Sequence, residues 1–80
     1  MNPTRCKMTL ISIARAYSGG KTVKFEPVSG GSEENKAFYA ATPSGSVEFT
    51  VSQRAAQNLG LDVAALGAEF YFDITPAVPA

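Results

Sequence analysis

Few residues in this chain could do chemistry. It holds one cysteine, Cys6, and no histidine, so the commonest general base and metal ligand is missing. Cys6 stands in a run of alternating apolar residues with no imidazole to activate it, and it reads as a buried structural thiol rather than a nucleophile. The seven acidic residues are scattered. Their one tight pair, Glu33-Glu34, lies in a polar stretch where solvated charge is the ordinary role, and metal binding has little support. Ser18-Gly19-Gly20-Lys21-Thr22 looks like part of a phosphate loop. That motif needs a longer glycine-spaced loop and a following helix, whereas a β pattern follows here, so the segment reads as a hairpin turn. The expectation is a non-enzyme with no catalytic residue, metal ligand or cofactor.

Two groups of side chains are better suited to binding. The polar stretch Val28-Ser29-Gly30-Gly31-Ser32-Glu33-Glu34-Asn35-Lys36 is longer than a minimal hairpin needs, and long connections in compact domains are often functional. It makes Glu33, Glu34, Lys36 and the nearby Tyr39 a contact surface for a protein partner. The second group is aromatic. The five phenylalanines are needed for a core, which leaves Tyr17 and Tyr71, near Arg15 and Lys24, as a stacking or ligand platform. The stronger reading is that the tyrosines seal the edge of a small core.

The elements that must position these residues follow from alternation. Residues 6–17 read as a first strand. The apolar set Cys6, Met8, Leu10 shifts by one to Ile11 and Ile13, as a β-bulge near Leu10–Ile11 would cause. Ser18 to Lys21 closes a hairpin onto a second strand with Val23 and Phe25 on one face, ended or placed at an edge by Pro27. Ala37–Ala41 reads as a short third strand, followed by a turn at Thr42-Pro43-Ser44-Gly45. Val47, Phe49 and Val51 then alternate inward in the clearest strand of the chain. Ser52 caps a two-turn helix ended by Gly60, Asp62 caps a further turn ended by Gly67, and Glu69 onward forms the last strand. The expected fold is mainly β: a five-stranded antiparallel barrel or strongly twisted sheet, SH3-like or OB-like, with one short helix before the last strand. Residues 1–80 make a single small domain, with 1–4 and 76–80 as tails.

Composition narrows the classes. Seven Lys and Arg balance seven Asp and Glu, so no global field gathers phosphates or anionic lipid, and nucleic acid is disfavoured. A lone cysteine fits a reducing, cytoplasmic setting. No apolar run approaches a membrane span, and the first residues lead into a strand pattern rather than a signal-peptide core. A chain of this length buries only about 60% of its unfolded surface, which leaves stability marginal.

Several segments resemble a loose group of small proteins encoded by tailed bacteriophages and prophages: Val23–Val28, Gly31–Phe38, Thr42–Gly45 and Gly67–Asp73, together spanning residues 23–73. The Ala-rich segment from Ala55 to Leu66 is longer than in that group. The resemblance implies a phage origin and a role in the host cytoplasm, and it brings no catalytic residues. The leading expectation is thus a phage accessory protein that binds a protein partner such as a host factor and self-associates through its first strand, whose apolar residues occupy both faces. The alternatives are a single-strand nucleic-acid binder using the tyrosines and a small-ligand-binding anti-defence protein with an enclosed polar pocket.

Overall fold

The computed structural model describes residues 4–28, 32–39 and 44–78. The fold is mainly β, with four strands, β1 (Thr4–Arg15), β2 (Lys21–Pro27), β3 (Val47–Val51) and β4 (Glu69–Ile74), and two short helices, α1 (Glu33–Phe38) and α2 (Gln53–Leu59). All pairings are antiparallel, in the order β3-β2-β1-β4, and the sheet curls like half of a barrel.

β1 organises the sheet because it is long enough to serve two partners. Its first half pairs with β4 from Thr4↔Ile74 to Thr9↔Glu69, and from Met8 onward it pairs with β2. The register slips between Leu10 and Ser12. Ile11 is therefore the extra residue of the expected bulge, and it is 42% exposed. The bulge has a further consequence: by pairing with Val23, Ile13 returns to the face that holds Leu10, which pairs with Phe25. The shifted apolar pattern in the sequence is the trace of one core face interrupted once, not of two.

That face carries the core. Cys6, Met8, Leu10, Val23 and Phe25 are buried, together with Ala56 of α2 and Leu61 just beyond it. The opposite face is polar, with Lys7 across from Tyr71, Lys24 across from Glu48, and the Thr22 and Thr50 hydroxyls 3.2 Å apart. Helix signals behave as expected in α2. The Ser52 hydroxyl accepts from the Ala55 N–H at 3.1 Å, and Gly60 ends the helix in the left-handed region at φ 67°. Asp62 accepts from the Ala64 N–H at the start of the next turn.

Three expectations are corrected. The third strand over Ala37–Ala41 is not formed: Glu33–Phe38 is helical, and Ala40 and Ala41 lie outside the described residues. Four strands replace five, and no pairing between β3 and β4 closes an SH3-like or OB-like barrel among the described residues. Finally, β1 is not an edge along its whole length: it lies between β2 and β4 in the strand order, although β4 accompanies it only over Thr4–Thr9.

Candidate functional site

α1 holds three of the four residues expected to meet a partner, and it exists because of its start. Ser32 accepts from the Asn35 N–H, and Glu33 and Glu34 place negative charge in the first turn, where a helix favours it. Glu33 and Lys36 project outward and pair with each other at 3.4 Å. Glu34 is half-buried. Its carboxyl is held below the usual range by its own backbone N–H first, with the Tyr71 hydroxyl and the Lys7 charge adding to this. Tyr39 turns the other way. Its ring packs edge-on against Phe38 at 4.9 Å, its hydroxyl is buried without a partner, and that burial, with the Cys6 thiol nearby, raises its pKa. The exposed tyrosine expected at the end of this stretch is instead part of the core margin.

Asn35 is the residue that the sequence concealed. It is buried between β1 and the end of β2. Its Oδ1 accepts from the Lys7 N–H at 2.7 Å, and its Nδ2 donates to the Lys7 carbonyl at 2.9 Å and the Val28 carbonyl at 3.0 Å. One amide side chain thus takes the place of a strand residue where β2 has run out. This is a structural role, and it fixes α1 on the sheet.

The proposed stacking platform is dispersed. Tyr71 lies on the polar face beneath Arg5, whose guanidinium carbon is 4.5 Å from the ring centroid, and Lys7, at 5.4 Å. Arg5 in turn holds Asp73 through two contacts, of 2.6 and 3.0 Å. Lys24 is on the same face but opposite Glu48. Arg15 falls on the other face by register with Lys21, and Tyr17 is 99% exposed at the hairpin end. Along β1, Lys7 and Arg15 are roughly 25 Å apart at strand rise. These residues do not form one surface.

Two hollows remain. An open one of about 420 Å³ between the hairpin and α2 is lined by Lys21, Gln53, Gln57 and Asp62 with Gly19 and Gly60. Most of these residues are exposed, so the hollow is not the enclosed polar pocket that a sequestered ligand requires. The second is apolar, about 130 Å³, on the core face between β3, β4 and α2, and is lined by Phe49, Val51, Leu59, Leu61, Phe70 and Phe72. Phe49 and Phe72 stack with ring planes 7° apart and centroids at 6.2 Å. Phe49 is 44% exposed and Leu59 54%. The core face is therefore uncovered at its β3 side. Phe49 thus lies on the inward face, as expected, but at a margin of it that is left uncovered.

Against family models, curated proteins and solved structures, the chain matches none. Among the described residues, no group of three or more metal-capable side chains assembles and no helix is long and apolar enough to cross a membrane.

Proposed function

We propose that this protein is a non-enzymatic binding module for a protein partner, an accessory protein of the kind its phage resemblance implies, and that it binds through the open apolar cleft beside β3. The observation that carries this is the stacked, half-exposed Phe49–Phe72 pair at the edge of the sheet. Aromatic residues in a cleft are the usual anchors of protein interfaces. β3 is also an edge strand among the described residues, and an edge strand offers backbone groups for pairing next to that anchor. The partner that fits both features is an extended segment with alternating apolar side chains, which would add to the sheet by backbone hydrogen bonds and set its side chains along the cleft. Glu33 and Lys36, exposed on α1, are left for a separate polar contact.

A random heptapeptide library screened against the sparsely immobilised chain tests this. Enriched peptides should alternate apolar and polar residues, and Leu59→Glu should weaken them at least tenfold while Glu33→Ala leaves them unchanged. Enrichment without that pattern, or equal binding to the Leu59→Glu variant, would remove the cleft from consideration.

A further inference from the structure

We infer that the segment docking on β3 is β3 of a second copy, paired antiparallel about a two-fold axis through Phe49. The inference rests on the binding reading above and names its occupant. β3 is itself an extended segment of alternating pattern, Val47-Glu48-Phe49-Thr50-Val51. Turned antiparallel on its own copy with Phe49 at the centre, it sets Phe49 beside Phe49, Val47 beside Val51, and Glu48 beside Thr50. The register opposes no like charges and keeps the apolar set of both strands on one face. Sliding the register by one residue toward the N-terminus, to centre on Glu48, sets the two carboxylates against each other. Charge thus selects the Phe49-centred pairing over that neighbour.

The geometry of the rest of the molecule agrees. Val23 occupies the inner side of Phe49, and its outer side has no strand partner among the described residues. A β3–β3 contact is isologous and closes after two copies, whereas β3 on β4 of the next copy would propagate without end. Only seven hydrophobic side chains are buried in this chain among the described residues, so it gains much from sharing surface.

Thr50 supplies the test, because it faces solvent on the polar side and lies opposite Glu48 of the other copy in this register. The intact chain should sediment at twice its 8.4 kDa mass at high micromolar concentration. Thr50→Glu should raise the dimer dissociation constant about tenfold by opposing Glu48 at two symmetric places. Thr50→Lys should leave it unchanged or lower it, and Glu48→Lys with Thr50→Glu should restore it. Circular dichroism of each variant confirms the fold. A monomer at every concentration overturns the inference while leaving the peptide screen to decide the binding reading. A dimer equally indifferent to Thr50→Glu and Thr50→Lys overturns the β3 register.

Discussion

Two places in the sheet meet the same problem, and only one of them is sealed. β1 extends past the end of β2, where the Val28 N–H still donates to the Lys7 carbonyl but the Lys7 N–H would stand unpaired; Asn35 accepts from that N–H and adds a second donor to the carbonyl. β3 stands at the sheet's edge, and among the described residues no strand pairs with its outer side. The first edge is flanked by a helix that a capped turn holds in place; the second is flanked by a half-exposed phenylalanine. Edge strands are usually blunted by charge, proline or cover. An apolar edge left open next to a sealed one points to a surface kept for contact.

The most disruptive way to break this contrast is to unseal the closed edge. Asn35→Leu keeps the number and branching of the side-chain heavy atoms but leaves the Lys7 amide and the Val28 carbonyl without the partner they now have. At about 1–3 kcal/mol for each of the two stranded groups, the loss should be about 2–6 kcal/mol. Urea denaturation measures it, and in a domain of this size it is a large share of the total. An unchanged midpoint would mean that α1 is not what holds this edge.

A smaller effect is expected where β2 begins beside the end of β3. Gly20 has ordinary backbone angles, so its need for glycine comes from space alone: a Cβ there would meet the Val51 carbonyl oxygen at 2.2 Å. Gly20→Ala must push the strands apart and should cost about 1–3 kcal/mol. Gly45 is the opposite case: nothing lies within 4 Å of a Cβ there, and a side chain would cost through its φ of 105° instead. The open edge should be more tolerant. Phe49 read as a fully buried side chain implies a loss of about 3–5 kcal/mol on truncation. Its 44% exposure lowers the expectation for Phe49→Ala to about 1–2 kcal/mol in the monomer. Thermal melts at low concentration, below self-association, separate the two figures.

How much of this was readable from the residues depends on how local each cause is. The bulge at Ile11, the hairpin, β3, the Ser52 and Gly60 caps and β4 all follow from neighbours in sequence. The helix α1 was missed because Ala37-Phe38-Tyr39 has strand propensity. Yet Ser32 followed by two glutamates, with Lys36 a turn later, is a helix-start signal that was there to be read. Asn35 could not be read at all, since its partner Lys7 is 28 residues away. Alternation assigns Phe49 to the face on which it lies, but only the strand order shows that this face is uncovered at its margin. The tyrosines were dispersed by the same long-range pairing, which set Tyr71 against Lys7 and left Tyr17 at the far end of β1.

The smallest expected effect concerns the polar face, where the β1–β4 pairing is reinforced by charge. The Arg5 guanidinium holds the Asp73 carboxyl below its ordinary 3.8, through the hydrogen bond first. Because the folded value is the lower one, the pair contributes fully above the unfolded pKa and loses that contribution as pH falls through the folded one. Both groups are solvent-exposed, so salt and water screen the pair and the loss should be slight. Asp73→Asn should therefore barely move the melting temperature at neutral pH, but it should flatten the decline of stability below about pH 4. Added salt should shrink the difference between the two chains. If the acid-side slope is the same with and without the carboxylate, the Arg5–Asp73 pair adds nothing to the β1–β4 pairing.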